Sequence, residues 1–136
     1  MTRFPFRKEN QLFQILSKLT SMDSELPIIN KTYEFYKAII EINNQLTKRW
    51  RYSLGMHIED SLLSCLEHLV MAKNAPKPLK PTYLIQASSK LEVTNLKIRL
   101  LLELQLVNAT KVFQVQALHT EIGRMLGGWL KASQST

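Results

Sequence analysis

Apolar residues recur along this chain at spacings of three and four, the period of a helix buried along one face. Phe35, Ile39, Ile42 and Leu46 form the first long run, widened by Tyr33, Tyr36 and Ile40, and predict a helix over residues 29–46. Leu54, Ile58, Leu62, Cys65, Leu69 and Ala72, with Leu63 and Leu66 beside them, predict a second over residues 50–73. A third seam, Leu84, Ala87, Leu91, Thr94, Ile98 and Leu101, predicts a helix over residues 82–107. Val115, Leu118, Ile122, Met125 and Trp129 predict the fourth, over residues 111–131, with a frayed tail from Ala132. No strand alternation of useful length is present. Helices joined this closely favour antiparallel neighbours, so the pattern predicts an all-α, antiparallel up-down four-helix bundle over residues 27–136.

The punctuation agrees. Pro27 reads as the stop of a linker that begins at Met22, the stretch 47–51 as a polar, basic joint, and the stretch 74–80 as a loop with two prolines. Pro81 suits the first turn of the third helix, where its missing N–H costs nothing. Residues 1–26 read as a separate N-terminal arm, in which Leu12, Phe13, Ile15, Leu16 and Leu19 predict a short amphipathic helix. The third helix carries Leu96, Leu100, Leu102, Leu104 and Leu106 off its main seam, and a helix apolar on several sides needs more than one neighbour. A subunit interface is the expectation.

Composition adds a partner class. Eighteen Lys and Arg against eleven Asp and Glu give +7, an excess that attracts polyanions or an acidic protein surface. One cysteine, Cys65, excludes an intrachain disulfide or a multi-cysteine zinc site and reads as a buried free thiol in a reducing compartment. The greasiest run, residues 98–107, is broken by Arg99, Glu103 and Gln105 and is too short to span a bilayer. No leader pattern is visible at residues 1–20, and the expected location is the cytoplasm.

The cations fall in groups. Lys48, Arg49 and Arg51 surround the first joint; Lys73, Lys77 and Lys80 surround the second with no acid between them; Arg3, Arg7 and Lys8 lie in the arm. Such groups contact phosphates, with Arg124 and Lys131 joining if exposed, or else they are solvated charges that keep the chain dissolved. Consecutive joints of an up-down bundle lie at opposite ends, so the first two groups merge only if subunits assemble. Trp50 and Tyr52 interleave with the arginines and either stack on bases or pack into the bundle end.

Gly123 and Gly127, with Gly128 alongside, form a small-xxx-small pair in the fourth helix. They admit another helix, with Trp129 filling space beside them, or Gly127 and Gly128 end the helix as a cap. Residues 129–131 continue the apolar pattern, which favours continuation. His57, His68 and His119 are scattered, and neither a metal-binding spacing nor a nucleophile with its base is evident. The reading is non-enzymatic, without cofactor or metal.

Glu121-Ile122-Gly123-Arg124-Met125-Leu126-Gly127-Gly128-Trp129-Leu130-Lys131 resembles the C-terminal signature of the Avd family, the accessory variability determinants of diversity-generating retroelements. Arg51-Tyr52-Ser53-Leu54-Gly55 resembles the opening of that family's second helix, and the leucine-rich stretch 90–104 resembles its third. The chain departs from the family in its first joint, which lacks the usual proline-lysine pair, and in its arm, which has no counterpart. The resemblance implies a four-helix bundle, assembled as a ring-shaped homo-oligomer, a pentamer. It implies binding to a reverse transcriptase and to template RNA or its complementary DNA, in support of mutagenic retrohoming. Gly55, Gly123, Gly127, Gly128 and Trp129 would be its packing signature. The alternative is a protein-interaction module whose basic face meets an acidic partner and no nucleic acid.

Overall fold

The computed structural model describes residues 26–135, and the predicted arm helix and the cations Arg3, Arg7 and Lys8 lie outside the described residues. Four long helices follow one another: α1 (Leu26–Asn43), α2 (Met56–Asn74), α3 (Lys80–Glu103) and α4 (Ala109–Gln134). Among the described residues there is no strand. Each helix packs on its neighbours in sequence, and α4 closes the ring against α1, so the helices alternate in direction around one core.

The predicted seams meet at its centre. Phe35, Ile39, Ile58, Leu62, Leu69, Leu84, Ile98, Leu101 and Ile122 are fully buried, and Cys65, Ala72 and Ala87 pack among them. Two threonines share the interior because each hydroxyl donates back along its own helix: Thr32 to the Ile28 carbonyl at 2.8 Å and Thr94 to the Lys90 carbonyl at 2.7 Å. That spends the only polar group either would otherwise leave unpaired. Tyr36 and Ile40 are half-buried and Tyr33 is exposed, at the core's edge; of the seam members themselves, Leu54, Leu118, Met125 and Trp129 are only half-buried.

Several predicted boundaries are corrected. α1 opens at Leu26, with Pro27 inside its first turn and not ahead of the helix as a stop, a place where proline's fixed φ is an advantage. It ends at Asn43, yet Leu46, three residues further on, is still 4% exposed and belongs to the core. The apolar spacing therefore overran the helix. Residues 48–55, placed partly in a joint, are helical: a single α turn (Lys48–Trp50) runs into a π turn (Arg51–Gly55) and on into α2. Pro81 stands in the first turn of α3 as expected, after a 3-10 turn (Lys77–Leu79).

α3 stops at Glu103, short of the predicted 107. Gln105 adopts φ 57°, the Gln105 N–H bonds the Leu102 carbonyl and the Leu106 N–H bonds the Leu101 carbonyl at 3.0 Å. These paired bonds are a Schellman cap, which usually places glycine where Gln105 sits. Asn108 then caps α4, its side-chain oxygen accepting from the Thr110 N–H at 2.7 Å. α4 runs without a break through Gly127 and Gly128 to Gln134, so those glycines do not end it, and the tail is helical past Ala132.

Candidate nucleic-acid interface

The first joint is built around a close approach. Asn43, at the end of α1 and 1% exposed, donates through Nδ2 to the Gly55 carbonyl at 2.8 Å and to Glu59 Oε2 at 2.7 Å. A π turn holds one residue more than an α turn and disturbs the regular ladder, and the Asn43 amide supplies Gly55 with a partner. A Cβ on Gly55 would lie 3.1 Å from Asn43 Cγ and Oδ1 and from Leu46 Cδ1, so any larger residue would have to push those side chains aside. Arg51 is half-buried, and its Nη2 lies 3.4 Å from the Asn44 and Leu46 carbonyls just past α1, where a cation complements the helix C-terminus.

Arg51 and Gly55, the two ends of the five-residue motif, are thus parts of the joint's construction. Around them Lys48 and Arg49 point outward and are exposed. The Arg49 guanidinium lies 4.8 Å over the ring of Trp50, which is half-buried against the core. Tyr52 is 61% exposed, with the Arg51 guanidinium 6.0 Å from its ring.

The second joint lies at the other end of the bundle, where α1 begins and α4 finishes. Lys80 donates to the carbonyls of Ala72 at 2.8 Å and Lys73 at 3.0 Å, closing the C-terminus of α2. Lys77 is exposed and Lys73 half-buried, and Lys131 reaches this end from the last turns of α4. A cavity of about 590 Å³ opens here, lined among the described residues by Ile28, Lys77, Lys80, Met125, Trp129, Ala132 and Ser133. Trp129 is half-buried against the core, as a residue filling the bundle's end would be.

The glycines of α4 divide. A Cβ on Gly123 would meet Leu91 Cδ2 at 3.9 Å, an ordinary contact, whereas none on Gly127 or Gly128 would meet anything within 4 Å. The expected helix at backbone distance is therefore absent within the chain among the described residues. Arg124 is exposed and pairs with Glu121, and that hydrogen bond holds the Glu121 carboxyl below its usual range.

The sequence-predicted cations are thus gathered into two poles. Lys48, Arg49 and Arg51 form one; Lys73, Lys77, Lys80 and Lys131 form the other, and Arg124 stands between them on α4. Lys111, exposed in the first turn of α4, lies at the same end of the bundle as the first pole and was not among the sequence-predicted cations. Only the packing of α4 against the C-terminal half of α1, where Lys111 and Glu41 border one groove, places it there.

Other chemistry is sparse. Burial pushes the Cys65 thiol up to about 12, leaving it unreactive. His119 meets Phe35 edge-on at 6.4 Å, its Nε2 is buried without a partner, and burial holds its pKa below the usual histidine value. Among the described residues no three His, Cys, Asp or Glu side chains stand close enough to hold a metal ion. No helix of the described residues is long and apolar enough to cross a membrane.

Comparison with protein families decides the lineage, because the bAvd-like family model matches residues 26–133, from the first turn of α1 to the last turns of α4. The chain belongs to the bAvd-like family. The bAvd-like match also takes in both cationic poles and the glycine-tryptophan segment of α4. Comparison with curated proteins finds no match.

Proposed function

We propose that this bAvd-like protein is a non-enzymatic scaffold that holds nucleic acid for a retroelement reverse transcriptase, binding template RNA or its complementary DNA in support of mutagenic retrohoming. Membership of the bAvd-like family over residues 26–133 carries this reading, and the cationic poles supply its physical means. Lys48, Arg49, Lys77 and Lys131 are exposed and stand as phosphate contacts. Arg51 and Lys80 hold helix ends together, so their part in binding is to position the groups beside them.

A single bundle offers few phosphates' worth of contact at each end. Assembly into a ring-shaped homo-oligomer, a pentamer in this proposal, would repeat each pole and make a continuous basic surface. Exposed apolar side chains support assembly: Leu63 and Val70 on α2, Val93, Leu96 and Leu100 on α3, and Leu104 just past its end, all facing away from the core. A stripe of that length on two adjacent helices is area that a second subunit would cover.

Co-expression with the retroelement's reverse transcriptase tests the proposal. The account expects the polymerase to co-purify with an oligomer of this chain, together with nucleic acid that nuclease removes. An oligomer that captures the polymerase but carries and binds no RNA or DNA would instead support the interaction module with an acidic partner.

A further inference from the structure

We propose that Tyr52 is a base-stacking platform that makes the first pole prefer unpaired nucleic acid over duplex. This rests on the nucleic-acid reading above and deepens it by naming the form of strand.

The observations come from the joint itself. Among the exposed large apolar side chains of the described residues, Tyr52 is the most exposed, at 61%. Its neighbours are cationic: the Arg51 guanidinium stands 6.0 Å from the ring, and exposed Lys48 and Arg49 lie in the preceding turn. A ring set among cations meets the needs of one nucleotide, a π-face for the base and positive charge for the phosphates on either side. Trp50, two residues away, is half-buried against the core with Arg49 closer over its ring, and so offers a base less open surface than Tyr52 does.

The turn that carries Tyr52 is tied down by three side-chain hydrogen bonds from its neighbours. Asn43 bonds the Gly55 carbonyl at 2.8 Å, Arg51 reaches the Leu46 carbonyl at 3.4 Å, and the Ser53 hydroxyl donates to the Arg49 carbonyl at 2.7 Å. A ring carried on a fixed backbone loses little freedom when a base settles on it. In a duplex both faces of an internal base are already stacked on its neighbours, so a lone tyrosine gains only where bases are unpaired. The lysines and arginine bind phosphates of either form, and the ring adds the discrimination.

The test compares an unstructured labelled single strand with a duplex of equal length at one fixed salt, by fluorescence anisotropy. Wild-type protein should favour the single strand, and Tyr52→Ala should weaken that binding by at least about fivefold. The same variant should leave duplex affinity unchanged, and Tyr52→Phe should restore the wild-type preference. Circular dichroism confirms that the exposed substitution leaves the bundle folded. Equal single-strand affinity for wild type and Tyr52→Ala, or equal losses on both forms, would overturn the proposal while leaving the scaffold reading intact. A wild type that binds neither form would overturn both.

Discussion

One methyl group separates the two kinds of glycine in this chain. At Gly55 it would press on Asn43 and Leu46 at 3.1 Å, so Gly55→Ala should cost about 1–2 kcal/mol despite alanine's better helix propensity. At Gly127 and Gly128 nothing described lies within 4 Å, so alanine at either should stabilise the isolated chain by up to about 1 kcal/mol. Thermal unfolding of the three variants checks both signs, and a Gly127→Ala protein that is more stable yet fails to assemble would place a partner helix on that face. Spacing singled out Gly123 and Gly127, and family resemblance added Gly55, but neither could tell the crowded position from the open ones, because a glycine's neighbours are set by tertiary approach and not by its own helix.

His119 carries the residue-scale pH dependence. Burial lowers its folded pKa below the unfolded value of about 6.5, so the unfolded chain binds the extra proton first as acid is added. Its contribution to stability is complete above that value and is lost as pH falls through the folded pKa. The melting temperature of wild type should therefore drop on the acid side more steeply than that of His119→Leu. Superimposable profiles would show that the ring titrates as freely in the fold as out of it.

At the scale of elements, core seams were legible and helix ends were not. Spacing of three and four finds the buried face because burial follows the helical period, and every member of the third seam, Leu84 to Leu101, is in the core. The same spacing carried α1 past its end to Leu46 and α3 past Glu103, because apolar residues also pack from turns. Gln105 hid the second ending: a glycine there would have announced a cap, and glutamine at φ 57° does not. Left-handed backbone costs a side-chain-bearing residue about 1–2 kcal/mol, so Gln105→Gly should stabilise the bundle by about 1 kcal/mol. Denaturant unfolding measures it, and a loss of stability would mean that the Gln105 side chain matters more than its backbone.

The π turn was likewise invisible to periodicity, though two of its residues, Arg51 and Gly55, were picked out by family resemblance. Their structural work explains the motif: the arginine holds the end of α1, and the glycine makes room for Asn43. Of the candidate cations, the sequence located the clusters, since charge needs no fold to be counted. It could not tell Lys48 and Arg49, which face solvent, from Arg51 and Lys80, which hold helix ends.

For the whole molecule, antiparallel packing sends the two cationic groups to opposite poles and leaves apolar stripes on the outer faces of α2 and α3. A repeating assembly would make many weak phosphate contacts into one strong, salt-sensitive surface, which is the central claim. Labelled structured RNA titrated with the protein at about 50 and 200 mM salt tests it most directly by fluorescence anisotropy. With four or more phosphates engaged, the account predicts affinity that falls by about a hundredfold or more across that range. It also predicts a shallower salt slope when Lys48 and Arg49 are both replaced by glutamate in a protein that still folds. A folded oligomer that binds no RNA at the lower salt would contradict the account.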